Sequence, residues 1–156
     1  MNENNEQRKG TTELLNELIN SGDFTAFYDN NIEDLQAPNL AEYLKELCES
    51  KKIAPHELVK TVDINRMFGY QIFEGERKAS RDYILKLAVG LGLTVEETQR
   101  LLNISKNSQL YPRVPRDAAI IYCLNNGMGY NDTQAKLHEW GILVLGGDNK
   151  YDKLKQ

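Results

Sequence analysis

The spacing of its apolar residues is the feature that most restricts the fold of this chain. Apolar side chains recur every three or four positions, as in the stripe from Leu40 to Leu47 and the stripe from Tyr83 to Leu91. That spacing places them on one face of a helix. The sequence offers no run of alternating apolar and polar residues that would favour a sheet. It therefore predicts an all-α protein, built as a compact helical bundle.

Polar capping residues and helix breakers divide these stripes into separate helices. The residues expected to cap helices are Asn39 with Glu42, Asn65, Ser80, and Thr94 with Glu97. Pro55 is expected in the first turn of a helix, where a missing N–H costs little. Gly75 is expected to end a helix in the left-handed conformation.

These signals predict five regions in the 156-residue chain. They are a disordered N-terminus (1–10), an N-terminal helical segment (11–38), a central helical domain (39–105), a C-terminal helical extension (106–145) and a disordered tail (146–156).

The compartment is predicted from apolar runs and cysteines. No apolar run approaches the ~20 residues that span a bilayer, and the polar N-terminus has no hydrophobic segment behind it, so no secretory signal is expected. Cys48 and Cys123 each lie in an apolar helix face, which favours buried thiols over a disulfide. We expect a cytoplasmic protein that is not bound to membranes.

Catalytic and metal chemistry are not indicated. His56 and His138 have no cysteine, carboxylate or second histidine at the spacing of metal ligands. No glycine-rich phosphate loop follows a strand. The sequence thus predicts a protein that is not an enzyme, with no metal and no cofactor.

Charge is distributed unevenly. Residues 1–50 contain 3 basic and 11 acidic side chains, whereas residues 51–90 contain 8 basic and 5 acidic ones. The net charge of −4 argues against nucleic acid when taken alone. Phosphate binding, however, depends on a local basic surface, and residues 51–90 are the one stretch with that bias.

Within this basic stretch, two short predicted helices meet at a tight turn, and a positively charged loop leads into a longer helix. The segments that define it are ELVKTVDINR, QIFEGERKAS and ILKLAVGLGLT. They resemble the phage-repressor-like (Cro-like, XRE) helix-turn-helix family of bacterial transcriptional regulators. The most specific part is the Gly-Xaa-Arg-Lys-Xaa-Ser loop, and YPRVPRDAAII resembles a C-terminal extension found in one subgroup.

The resemblance implies a lambda-repressor-like core and sequence-specific binding of double-stranded DNA by a homodimer on two half-sites. The residues it places on DNA bases are Arg66, Met67, Tyr70 and Gln71. The residues it places on phosphates are Arg77, Lys78 and Arg81. Arginine suits guanine, and glutamine suits adenine. Either the helices of residues 115–145 or the acidic N-terminal segment would supply the dimer surface.

Two departures from the family leave an alternative open. Pro55 stands where the family usually has a glutamine, and Gly69 stands where it usually has an aliphatic residue. The alternative is a protein-binding adaptor that keeps the fold and uses an exposed surface of Met67, Phe68 and Tyr70, because interfaces are enriched in such residues. The basic loop favours DNA, because its three cations have no evident partner within the chain.

Overall fold

The computed structural model describes residues 9–147, and within that range the chain is helical, with no strand. The helices are α1 (Thr11–Asn20), α2 (Phe24–Asn31), α3 (Leu40–Lys51), α4 (Pro55–Thr61), α5 (Arg66–Phe73), α6 (Arg81–Gly90), α7 (Val95–Ile104), α8 (Pro115–Asn125) and α9 (Tyr130–Glu139). The predicted all-α class is confirmed. No helix in this range is long and apolar enough to cross a membrane. The stretches predicted to be disordered lie outside the described residues, except for positions 9, 10, 146 and 147.

The helix ends follow the predicted caps. The side chains of Asn39, Asn65 and Ser80 accept hydrogen bonds from backbone N–H groups at the starts of α3, α5 and α6. Thr94 and Glu97 form a reciprocal capping box on α7. Each cap satisfies N–H groups that have no partner inside the helix.

The contacts within the chain divide it into two units, and the boundary in the sequence lies between Ala37 and Pro38. In the first unit, α1 and α2 bury two side chains, those of Phe27 and Asn31. Phe24 and Tyr28 share the helical spacing of the buried Phe27, yet their side chains are 66% and 44% exposed.

The second unit comprises α3 to α9 around one apolar core. Leu44 and Leu58 from the central helices belong to the same buried cluster as Ile120, Leu137 and Leu145 from the C-terminal extension. The extension is therefore part of the structure that supports α4 and α5.

Helix α4 has only seven residues, and two glycines let its neighbours approach it closely. A Cβ atom added to Gly69 of α5 would lie 2.6 Å from Val59 Cγ1. One added to Gly90, at the end of α6, would lie 2.4 Å from Val62 Cγ1. Both distances are far below van der Waals contact. Gly69 is thus required by the packing of α5 on α4.

We expect Gly69→Ala to destabilise the protein by about 1–3 kcal/mol, because the added methyl group overlaps Val59 in a filled core. Helix propensity alone would make the same change stabilising by about 1 kcal/mol. Urea unfolding measures the difference. In a Val59→Ala background the penalty should shrink.

Gly22→Ala is the control, since nothing lies within 4 Å of a Cβ atom placed there and Gly22 lies outside the helices. It should change stability by less than about 0.5 kcal/mol, as expected for an exposed position. A stabilised Gly69→Ala protein would contradict the packing argument.

Candidate nucleic-acid interface

Helix α5 presents the four residues predicted to read bases. Its inner side, with Gly69, Ile72 and Phe73, is buried. Arg66 is exposed, Met67 and Tyr70 are 64% and 59% exposed, and Gln71 is half-buried. The 3.6-residue repeat of the helix thus separates the packing residues from the outward ones.

Phe68 lies at the edge of α5 and is half-buried. Its ring centroid is 4.5 Å from that of Tyr83 on α6, and the Arg77 guanidinium lies 4.8 Å from the centre of the Phe68 ring. The predicted surface of Met67, Phe68 and Tyr70 is therefore interrupted, because Phe68 is enclosed between Tyr83 and Arg77.

Arg77 is held beside the outward face of α5. Besides its position over Phe68, its Nη1 donates a hydrogen bond of 3.3 Å to Gln71 Oε1. The amide nitrogen of Gln71 is not used in this bond and remains a donor. Arg77 therefore joins the loop to the helix and keeps its charge at the protein surface.

Other cations surround α5. Lys60, Arg66 and Lys78 are exposed, and no carboxylate within the described range forms an ion pair with them. Acidic side chains are also present. Glu74 Oε1 lies 3.9 Å from Lys45 Nζ, and Glu76 is exposed in the loop. The local basic surface is thus modest.

Arg81 has a different environment from Arg77 and Lys78. Its guanidinium forms two hydrogen bonds with the Asp117 carboxylate, of 2.9 and 2.8 Å. It also donates to the backbone carbonyl oxygens of Ser108 and Gln109. The expectation that the loop cations have no partner within the chain is therefore wrong for Arg81.

A second ion pair crosses the first. Arg116, next to Asp117 at the start of α8, forms two 2.9 Å hydrogen bonds with Asp82, next to Arg81 at the start of α6. Arg116 also donates to the carbonyl oxygens of residues 143 and 144. Two Arg-Asp dipeptides thus exchange partners, and we call these four residues the crossed ion pairs.

The crossed ion pairs shift the titration of their carboxylates. Partial burial alone would raise the pKa of Asp82, but hydrogen bonds from Arg116 and from the Gly146 N–H outweigh it and hold the pKa below its usual value. Burial likewise opposes the shift at Asp117, where hydrogen bonds from Arg81 and the Tyr111 N–H lower the pKa. Both carboxylates are therefore stabilised in the charged form.

Lys86 is a buried lysine that the sequence pattern did not predict. It lies among apolar residues of α6 and is 7% exposed. Its Nζ donates a 3.2 Å hydrogen bond to the carbonyl oxygen of Asp63, in the turn between α4 and α5, where Asp63 has φ of +54°. It also lies 5.8 Å from the ring centres of Tyr83 and Tyr130. Lys86 thus fixes the turn that orients α5.

A groove of about 850 Å³ lies alongside α5, between it and helices α3 and α4. Its floor includes the buried residues Val59, Gly69 and Phe73. The charged residues at its rim are the cations Lys45, Lys60 and Arg66 and the carboxylates Asp63 and Glu74. One side of α5 therefore borders a concave surface with an apolar floor and a rim of mixed charge.

Within residues 9–147, no group of three or more His, Cys, Asp or Glu side chains is arranged to hold a metal ion. His56 and His138 are both exposed. Cys48 and Cys123 are buried and not bonded to each other, as predicted. Burial raises the pKa of the Cys48 thiol to about 11, which leaves it protonated and unreactive at neutral pH.

Comparison with known proteins gives no relative: no family model, curated protein or solved structure matches this chain.

We expect Asp117→Ala to destabilise the protein by about 2–3 kcal/mol, because it leaves the partly buried Arg81 guanidinium without its anion. Arg81→Lys should not preserve stability fully, since an ammonium group cannot replace a guanidinium paired through two hydrogen bonds. Urea unfolding of both variants measures these effects. Arg113→Ala, at an exposed arginine of the neighbouring linker, is the control and should change little. Equal stability of Asp117→Ala and the control would show that the pair contributes nothing.

Acid should weaken the fold through the same carboxylates. Their folded pKa values lie below the unfolded value of roughly 3.9, so their contribution is complete above that pH and is lost as the pH falls through the folded values. The free energy of unfolding should therefore depend less on pH, below about pH 5, in Asp82→Asn/Asp117→Asn than in the unmodified protein. Glu46→Gln, at an exposed position of α3, should keep the original dependence. An unchanged slope in the double variant would contradict the assignment.

Proposed function

We propose that the protein is a transcriptional regulator that binds double-stranded DNA in a sequence-specific manner, with α5 in the major groove. The observation that carries this proposal is the outward face of α5, where Arg66, Met67, Tyr70 and Gln71 lie side by side on a helix that packs on α3 and α4. The resemblance to repressor-like helix-turn-helix proteins supports the same conclusion.

The dimensions of α5 suit this role. An α-helix with its side chains is about 10–12 Å across, so α5 fits the ~12 Å width of the major groove. Arg66 at its start offers two parallel donors to guanine, and the Gln71 amide suits adenine. Met67 and Tyr70 offer apolar contact to thymine methyl groups.

Arg77 and Lys78 would contact the phosphates beside the groove. Both are exposed, and the hydrogen bond from Arg77 to Gln71 places a backbone-binding cation next to a base-reading residue. Lys60 on α4 is a further candidate. Arg81 has the different role of holding α6 against α8, so its replacement should act on stability.

The experiment is selection of bound duplexes from a random pool at low salt, followed by titration of the selected site. Lys78→Ala should weaken binding to every sequence and reduce the slope of log K against log salt by about 1. Gln71→Ala should instead relax the preference at one base position, by about 1–3 kcal/mol of discrimination.

Lys136→Ala serves as the control, because Lys136 is a cation of α9, which packs on α6 and α8. It should leave the affinity and the salt slope unchanged. Absence of any enriched sequence, together with absence of salt-dependent binding, would overturn the proposal.

A protein-binding adaptor is the second candidate, and the groove beside α5 favours it. Its apolar floor lies next to the exposed Tyr70, and such residues are enriched at protein interfaces. In that case, Tyr70→Ala should abolish capture of the protein partner and Lys78→Ala should leave it unchanged. DNA binding, in contrast, should be weakened by Lys78→Ala as well, because it depends on both the charge of the loop and the outward face of α5.

A further inference from the structure

The α1–α2 hairpin carries an apolar face that is open to solvent. Its seven large apolar residues are between 40% and 69% exposed, and they are Leu15, Leu18, Ile19, Phe24, Tyr28, Ile32 and Leu35. The three positions in α1 and the two in α2 repeat at helical spacing, so the side chains on each helix lie in a row, and Ile32 and Leu35 follow the end of α2. Monomeric proteins rarely leave so large an apolar patch uncovered.

The hairpin has little core of its own. Its internal contacts are made on the side where Phe27 and Asn31 are buried. There Lys9 Nζ lies 2.7 Å from Glu17 and 2.6 Å from Asn31 Oδ1, and Asn31 donates to Glu17. These polar contacts join the two helices and leave the apolar face unused. Two short helices with so small a core need a partner to be stable.

We propose that this face pairs with the same face of a second copy of the chain, so that two hairpins form a four-helix bundle. A two-fold axis makes such a surface complementary to itself, because each residue meets its counterpart across the interface. Four helices arranged around an apolar centre are a standard way of burying helix faces of this kind. The hairpin is thereby assigned as a dimerisation element.

The area lies at the lower limit for a stable dimer. Aromatic side chains bury roughly 150–250 Å² each, and with the lower part of that range taken for leucine and isoleucine the seven residues, at about half exposure, amount to roughly 600 Å² per copy, against the ~800 Å² per partner of a standard interface. None of the seven is charged. The interface is therefore apolar throughout its centre.

The charges around this face predict how the dimer responds to salt. The hairpin is acidic, with Glu13, Asp29 and Glu33 exposed and outside the apolar face. Two copies therefore repel each other at long range, and salt screens that repulsion. Dimerisation should become tighter as salt increases, whereas docking on a basic partner would become weaker.

The inference goes beyond the proposed function, because formation of this dimer does not require DNA. It is tested without DNA, by sedimentation of the full-length protein over a range of concentrations and salt. The unmodified protein should sediment at twice the 17.8 kDa chain mass. Ile19→Glu and Phe24→Glu should each weaken association by about a hundredfold or more, because each places an unpaired charge in an apolar interface.

Two control variants distinguish this face from the rest of the protein surface. Asn20→Glu adds the same charge to the exposed polar side of α1, where Glu13 also lies, and should still dimerise. Tyr122→Glu tests a second exposed aromatic site, where Tyr122 of α8 packs edge-on against Trp140 with ring centres 5.7 Å apart. A monomeric unmodified protein, or a dimer broken by Tyr122→Glu and not by Ile19→Glu, would overturn the proposal. Either result leaves the binding of α5 to a single half-site to be judged by the DNA titration.

Discussion

The close approach of α5 and α6 to the short helix α4 is the constraint on which the second unit depends. A helix of seven residues has little surface, so it can hold two neighbours only if both come very near. Gly69 and Gly90 make this approach possible by leaving no side chain against Val59 and Val62. The direction of α5 follows from that packing. The residues on its outward face are therefore presented by a rigid support.

The crossed ion pairs extend this support to the C-terminal helices. They join the starts of α6 and α8, and Arg116 adds bonds to the chain that follows α9. The loop carrying Arg77 and Lys78 leads directly into α6, so its position depends on this connection. The three cations of the loop look equivalent in sequence, but Arg81 holds α6 against α8, whereas Arg77 and Lys78 remain at the surface.

Much of the fold could be predicted from the sequence, because helix periodicity and capping are local. Asn65 and Thr94 cap helices where expected. Two features of the structure were not predictable from the sequence. The partner of Arg81 lies 36 residues away, and no local pattern encodes that pairing. A stripe such as that of α2 shows which side chains share a face, but whether another surface covers them is a tertiary property, as Phe24 demonstrates. Lys86 could have been noticed, since it interrupts an apolar run.

The bonds of Asp82 also have a consequence for the order in which the chain folds. Its carboxylate accepts a hydrogen bond from the N–H of Gly146, which follows it by 64 residues. During synthesis, α3 to α7 can pack through contacts that are short in sequence. Completion of the network around Asp82 must wait until Gly146 has left the ribosome. The unit that carries α5 therefore acquires its final rigidity only after Gly146 has emerged.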